Sequence, residues 1–166
     1  YQMGALLAFA AAQGVKLQHV KPHGALYNMA AKDMDLALAI AQGVASVDRD
    51  VILLGLAGSK LLQAGRQAGL RVASEIFADR AYQADGSLAP RSQPGAVIHD
   101  REAAITRTVR MVTQGKVTAI TGEEISMEAH SICVHGDNPS AVEFVRHIRA
   151  KLEAEGVAIA PLADIV

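Results

Sequence analysis

Two residues that could do chemistry, Lys21 and His23, follow a short alternating segment that has the pattern of a strand. Lysine offers a cation for an anionic group, and histidine offers a base that titrates near neutral pH. Pro22 fixes the turn between them, and Gly24 allows the backbone to approach closely. The stretch by itself is equally compatible with a capped loop that carries a surface lysine and histidine.

A second group of charged residues begins inside a predicted strand and continues past its end. In an alternating strand, Glu75 shares a face with Ala73 and Phe77, and a carboxylate in the core of a sheet is costly unless it is paired or functional. We therefore interpret Glu75 as functional. Asp79 and Arg80 come directly after the strand, and the alternative for these two is an ion pair with each other.

A third group, His135 and Asp137, lies on a predicted turn from a strand to a helix. At this spacing both side chains can point into one pocket, either as metal ligands or as a base with its orienting carboxylate. In the alternative interpretation Asp137 caps the following helix and His135 bonds to the backbone. The two interpretations are compatible with each other.

The segment 55–59 (GLAGS) also precedes a predicted helix, of which Ser59 is the expected N-cap. Backbone N–H groups and the Ser59 hydroxyl at a helix N-terminus suit a carboxylate or a phosphate. The segment lacks the Gly-Lys-Ser/Thr ending of a phosphate-binding loop, the dinucleotide fingerprint and the Gly-x-Ser-x-Gly pattern of a nucleophile elbow. It is therefore a weak signal.

The elements that must position these groups alternate along the chain. The patterns predict strands over residues 15–20, 51–54, 72–77, 131–134 and 157–160 and helices over residues 1–13, 28–46, 59–69, 100–115 and 139–156, with a long loop over 78–96 and a hairpin around Gly122. Such alternation predicts an α/β fold with a parallel sheet, either open or closed into a barrel. The loops after the strands then form the working face. We expect one domain over residues 1–166.

Composition narrows the classes of partner. Hydrophobic residues make up 51% and aromatic residues 4%, so Ala, Leu, Val and Ile must build the core. The net charge of -1, without long runs of one sign, argues against nucleic acid and anionic membrane surfaces and favours a small-molecule partner. No apolar stretch reaches the roughly 18 residues of a membrane span. The single cysteine, Cys133, fits a reducing cytoplasm, where we expect the protein.

Four stretches of the sequence, taken together, indicate a protein family more specifically than any one of them does alone. The chain resembles the LamB/YcsF family in the stretches HVKPHGALYN (residues 19–28), GLAGS (55–59), EIFADRAY (75–82) and CVHGDNP (133–139) and in their order. The resemblance implies a TIM-like (β/α) barrel of the glycoside hydrolase and deacetylase type. It also implies ATP-dependent opening of 5-oxoproline to L-glutamate by the A subunit of a 5-oxoprolinase with B and C partner subunits. Family chains carry a further N-terminal segment, so we expect an incomplete barrel that lacks its first third, and activity of the isolated fragment is doubtful.

From these residues and the resemblance we predict a site. The candidate catalytic residues are His23, Glu75, Asp79, His135 and Asp137, and the candidate substrate-binding residues are Lys21, Asn28, Ser59, Arg80 and Tyr82. ATP, with Mg²⁺, is the expected cofactor; His23, His135 and Asp137 are the candidate ligands for another divalent metal. Two alternatives stay open: a metal-dependent hydrolase of acetylated sugars and a non-catalytic scaffold subunit. Homo-oligomerisation is open as well.

Overall fold

The computed structural model of the protein describes residues 1–136 and 141–166 and groups the chain into two compact units. The first unit comprises Tyr1–Ser74 and Leu162–Val166, and the second comprises Glu75–Pro161. The single domain expected over residues 1–166 stays a prediction. Among the described residues, none of the helices is both long and apolar enough to cross a membrane.

The first unit is an alternation of helices and parallel strands. Its elements are α1 (Gln2–Ala12), β1 (His19–Val20), α2 (Ala25–Ala30), α3 (Met34–Val47), β2 (Ile52–Leu56), α4 (Lys60–Gln67), the first half of β3 (Val72–Phe77) and a 3₁₀ turn (Leu162–Asp164). β1 pairs with β2 in parallel, with Val20 opposite Leu53. β2 is buried along its whole length, as is usual for a strand covered on both faces.

The second unit contains the remaining elements. They are the second half of β3, α5 (Arg101–Gln114), β4 (Lys116–Thr118), β5 (Glu124–Ser126), β6 (Ser131–Cys133) and α6 (Ala141–Ala154). β3 pairs with β6 in parallel, and the hydrogen-bonded order of the four parallel strands is β1-β2-β3-β6. β4 and β5 form the hairpin predicted around Gly122. Ala78, Ile105, Ile148 and Leu152 form a core cluster of this unit.

Local signals in the sequence explain where several helices begin and end. The Asp33, Ser59 and Asp100 side chains each accept a hydrogen bond from a backbone N–H in the first turn of the following helix, which is the usual N-cap arrangement. Gly115 ends α5 in the left-handed conformation that glycine adopts without strain. The strand predicted over residues 72–77 and the cap predicted at Ser59 are confirmed.

Three local predictions were wrong. The helix expected over residues 28–46 is two helices, because Asp33 caps a new one at Met34. The residues 157–160 form no strand: three of the four are exposed, and β-branched residues favour strands only where they can pair and pack. For α6 the periodicity predicts one buried stripe of Val142, Val145, Ile148 and Leu152, but only Ile148 and Leu152 are buried and both valines are exposed.

Two glycines inside helices of the first unit should respond oppositely to alanine. A Cβ atom at Gly65 of α4 would lie 2.6 Å from Val72 Cγ1 and 2.9 Å from Leu53 Cδ2, whereas among the described residues nothing lies within 4 Å of one at Gly43 of α3. We expect Gly65→Ala to lower the free energy of unfolding by about 1–2 kcal/mol, because valine has little rotamer freedom to move away. Gly43→Ala should raise it by about 0.5–1 kcal/mol through helix propensity. Urea unfolding measures both, and a stabilised Gly65→Ala variant would contradict this packing.

Candidate functional site

The register of β3 against β6 brings two of the predicted residues together. Phe77 of β3 is paired with Cys133 of β6, and Asp79 and His135 each follow two residues later. Because parallel strands end at the same edge of a sheet, both side chains leave this edge on neighbouring strands. Asp79 Oδ2 lies 2.7 Å from His135 Nδ1, and the rings of His135 and Phe77 are 5.9 Å apart. The pair is partly buried, with side-chain exposures of 22% for Asp79 and 28% for His135.

A third residue, Arg91, fixes the position of the His135 proton. Arg91 Nη2 lies 3.3 Å from His135 Nε2. A guanidinium only donates, so Nε2 must accept this hydrogen bond and is unprotonated. The ring proton then lies on Nδ1 and is donated to Asp79 Oδ2. Asp79, His135 and Arg91 therefore form a chain of hydrogen bonds in which the carboxylate orients a neutral imidazole.

The Asp79–His135 pair lines a cavity of about 440 Å³ in the second unit. Arg91, His99 and Arg101 add cationic or titratable side chains to the same wall, while Val97, Ile98 and Phe144 supply apolar surface. Arg101 also bonds to Glu143 of α6 at 3.2 Å, with both side chains exposed. A concave, partly apolar cavity with a few convergent polar groups is the usual form of a small-molecule site.

The loop 78–99 carries Arg91 and His99 and is held in place by buried Arg80. The Arg80 side chain, which is 7% exposed, donates to the carbonyl oxygen of Ala89 at 2.5 Å and to that of Ala96 at 3.4 Å. Burial lowers the pKa of the Arg80 guanidinium, and the nearby charge of Arg91 lowers it further. The N–H of Ile98 also donates to the backbone carbonyl of Asp79. Arg80 thus organises the loop, and its predicted binding of substrate stays a prediction.

Tyr82 is a core residue of the second unit. Its side chain is fully buried, its hydroxyl accepts a hydrogen bond from the Phe77 N–H at 2.8 Å, and the Arg107 guanidinium lies 5.2 Å from the ring centroid. Burial raises the pKa of the Tyr82 phenol to about 12. Glu75 is also buried, with 3% of its surface exposed, and it lies close enough to raise the pKa of Tyr82 further. The predicted roles of Tyr82 in substrate binding and of Glu75 in catalysis stay predictions.

The raised pKa of Tyr82 predicts a loss of stability at alkaline pH. Below pH 10 the phenol is protonated in both the folded and the unfolded chain. Between about pH 10 and 12 only the unfolded chain ionises, so stability falls as pH rises, by roughly 3 kcal/mol over the whole interval. We expect urea unfolding to show this fall relative to Tyr82→Phe, which has no ionisable phenol. Parallel stability curves for the two proteins would contradict the assignment.

Four predicted residues belong to the first unit. His23 and Asn28 are exposed, and Asn28 donates to the carbonyl of Gly24. Lys21 Nζ lies 5.1 Å from the centroid of the Tyr27 ring, a cation–π distance. Ser59 is buried at the N-terminus of α4, where its hydroxyl accepts from the N–H of Leu62. These local roles do not test the catalytic and binding roles predicted for them.

The predicted catalytic and metal-ligating residue Asp137 lies outside the described residues, so its roles stay predictions. Within residues 1–136 and 141–166, no group of three or more His, Cys, Asp or Glu side chains is placed to hold a metal ion. Among these described residues, Asp79 Oδ1 is buried without a hydrogen-bond partner. Together with His135, Asp79 could therefore give a metal ion two protein ligands. A catalytic zinc site uses three protein ligands, so these two ligands do not complete one. The arginines of the cavity do suit the phosphate oxygens of ATP.

Three residues of the cavity, Arg91, His99 and Arg101, were not predicted from the sequence. They come from the loop after β3 and the first turn of α5, and polar residues on the loops that follow strands are frequent ligands in α/β folds. Their position was therefore a usable signal. For His135, the sequence suggested Asp137 as the orienting carboxylate, which lies outside the described residues; the register of β3 and β6 instead brings Asp79, another predicted catalytic residue, beside it.

The parallel strands and the Asp–His pair beyond their carboxyl ends define an α/β protein of the TIM-like barrel class, as predicted. The chain belongs to the LamB/YcsF family, whose model matches residues 1–166. It is 58% identical to the A subunit of 5-oxoprolinase from Alkaliphilus metalliredigens over 96% of this chain and 62% of that protein. It is 53% identical to the corresponding 5-oxoprolinase subunit from Pyrococcus furiosus over 100% of this chain and 65% of that protein. The chain thus spans a little under two thirds of the length of these curated relatives.

A solved structure gives the same fold. The chain is similar to the crystal structure of a lactam utilization protein from Thermus thermophilus, with a TM-score of 0.86 and 47% sequence identity. The match covers 96% of this chain and 63% of that chain. The predicted fold class, an incomplete TIM-like barrel with parallel strands, is confirmed.

Proposed function

We propose that the protein to which this chain belongs opens the lactam ring of 5-oxoproline to L-glutamate in an ATP-dependent reaction, as the A subunit of a 5-oxoprolinase with B and C partner subunits. The observation that carries the proposal is the hydrogen bond between Asp79 and His135 at the wall of a cavity that also contains arginines. The relatives named as the A subunit of 5-oxoprolinase support the substrate and the assembly.

Hydrolysis of a lactam needs a base for the attacking water and an acid for the departing nitrogen. His135 can fill both roles through Nε2, since Nδ1 is held by Asp79 and the aspartate stabilises the imidazolium that forms. The proton taken from water then passes to the ring nitrogen as the C–N bond breaks. When bound, ATP would supply a phosphoryl group to the lactam oxygen, which would make the carbonyl carbon more electrophilic toward water; once the C–N bond has broken, a second water would release this group as inorganic phosphate.

The arginines of the cavity suit the negative charge of both substrates. 5-Oxoproline carries a carboxylate and ATP a triphosphate, and guanidinium groups bind both kinds of oxygen with paired hydrogen bonds. Arg91 and Arg101 line the cavity and are not fully buried, whereas buried Arg80 donates to backbone carbonyls. We therefore assign anion binding in this cavity to Arg91 and Arg101.

The test is an assay of the full-length protein with its B and C subunits. The expected result is ADP release and glutamate formation that both require 5-oxoproline, and their loss when His135 is replaced. ADP release that does not depend on 5-oxoproline would overturn the proposal.

The same assay separates the alternatives. Release of acetate from an acetylated sugar, with divalent metal and without ATP, would favour the deacetylase-like hydrolase. A non-catalytic scaffold would keep full activity of the complex after truncation of His135. Cytoplasmic location is part of the proposal and can be read from cell fractionation.

A further inference from the structure

The nitrogen of His135 that catalysis needs is already occupied. His135 Nδ1 is bonded to Asp79 Oδ2, and Nε2 accepts a hydrogen bond from Arg91. A base whose only free lone pair is held by an arginine cannot accept a proton from water. Arg91 must therefore leave Nε2 before His135 can act.

The Arg91 hydrogen bond is weak enough to be exchanged. Its N···N distance of 3.3 Å is long for a hydrogen bond, and its acceptor is a neutral imidazole. A carboxylate or phosphate offers a guanidinium two parallel hydrogen bonds and an opposite charge, whereas the imidazole offers one lone pair and no charge. Arg91 is exposed, so its side chain can move without disturbing packing. An anionic ligand therefore competes favourably with His135 for this group.

Charges around Arg91 point to the same ligand chemistry. Arg91 lies close enough to Arg80 to lower the pKa of that buried guanidinium, so the two positive charges repel each other. Arg101 already bonds to Glu143, which reduces its availability for a ligand. An anion at Arg91 would relieve the repulsion between Arg91 and Arg80. The anion could also use the four N–H groups of Arg91 that do not bond to His135.

We propose that a carboxylate or phosphoryl group of the ligand binds Arg91 and, by drawing the Arg91 guanidinium away, releases His135 Nε2 to accept a proton. This inference rests on the proposed function, because it uses His135 as the base. It makes Arg91 a positioning residue that couples the arrival of an anionic substrate to the freeing of the base.

The test is a nuclear magnetic resonance measurement that needs no turnover. In the full chain labelled with ¹⁵N, the two-bond correlations of the imidazole rings report the tautomer and hydrogen bonding of each of the 6 histidines. His135→Gln assigns the signal of His135. The probes are 5-oxoproline, its uncharged amide and inorganic phosphate. We expect the Nε2 signal of His135 to shift with 5-oxoproline or phosphate and to stay in place with the amide.

The variants give a second readout. Arg91→Gln should show the shifted Nε2 signal without any ligand and should bind the active anion at least about tenfold more weakly, as expected for loss of a charge-assisted hydrogen bond. The matched control is Arg149→Gln, an exposed arginine on α6 that pairs with Glu153, and it should behave as the wild type. Circular dichroism checks that both variants are folded.

Each outcome decides one point. A response to phosphate but not to 5-oxoproline supports the inference with a phosphoryl ligand and counts against 5-oxoproline as the substrate at this cavity. If neither anion shifts the signal, or if Arg91→Gln binds the active anion as the wild type does, the inference is overturned, while the ADP assay still judges the proposed function separately.

Discussion

Replacing His135 by glutamine should reduce 5-oxoproline turnover by the complete enzyme about 10²–10⁴-fold, the usual contribution of general acid–base catalysis. Glutamine keeps a polar side chain of similar reach but cannot accept a proton and return it. Because His135 is partly exposed at the edge of the sheet, we expect the variant to fold normally. The measurement is the rate of glutamate formation at saturating 5-oxoproline and ATP.

The companion substitution is Asp79→Asn, which keeps the shape of the side chain but removes its charge. It should lower turnover by a similar factor, because an asparagine amide no longer stabilises the imidazolium and can favour the wrong tautomer. Since the two residues act as one unit, the double variant should be within about tenfold of the worse single variant. Independent, multiplying effects would mean that the Asp79–His135 hydrogen bond is not part of the mechanism.

The control for both variants is His147→Gln. His147 lies on α6 and is exposed, and it is not among the residues that line the cavity. The same chemical change there should leave turnover unaltered. A large loss in this control would indicate a general effect of the substitution on the helix rather than on the base.

Replacing Arg80 by methionine should lower the free energy of unfolding by roughly 2–4 kcal/mol, because a buried carbonyl loses its charged donor. The carbonyl of Ala96 still receives the N–H of Ala81, whereas the guanidinium is the partner identified for the carbonyl of buried Ala89. Removing a buried charge recovers part of the desolvation cost, which keeps the loss within this range. Urea unfolding at neutral pH measures it.

Methionine at position 80 should also affect the site at a distance. The carbonyls that Arg80 binds belong to the loop that carries Arg91 and His99. Once the loop loosens, the affinity for anionic ligand should fall even though Arg91 is intact. Arg149→Met is the matched control, since its exposed ion pair should contribute less than about 1 kcal/mol. Equal stability of the two variants would show that Arg80 does not hold the loop.

Features set by interactions between residues close together in the sequence could be predicted from the sequence alone. Local signals placed Ser59 and Asp100 as helix caps and Gly115 as a helix end, because capping needs only neighbours within one turn. A buried continuous run identified β2, and alternation placed Glu75 in the core of a sheet. The fold class followed from the order of such segments.

The site depended on contacts that the sequence does not encode locally. The sequence suggested Asp137 as the carboxylate that orients His135, whereas the register of β3 with β6 placed Asp79 beside it, 56 positions away along the chain. Arg91 lies on a loop that follows a strand, a usual place for ligand-binding residues, but nothing in a loop sequence indicates which of its side chains turns back toward a strand end. Arg80 was predicted to bind substrate, yet its guanidinium binds carbonyls of its own loop, a use that only its burial reveals.

The far end of the loop 78–99 is closed on itself. Gln83 donates its backbone N–H to the carbonyl of Ser87, and Asp85 accepts from both the N–H and the hydroxyl of Ser87. Next to this turn, Tyr82 and Leu88 form an antiparallel β-bridge. Residues 84–86 therefore form a tip whose bonds are separate from those at Asp79 and Arg80. A fluorophore attached at Ala84, which is exposed, would sit on the same loop as Arg91 without touching the base. Binding of an anion could then be followed in real time as a change in the fluorescence of this label.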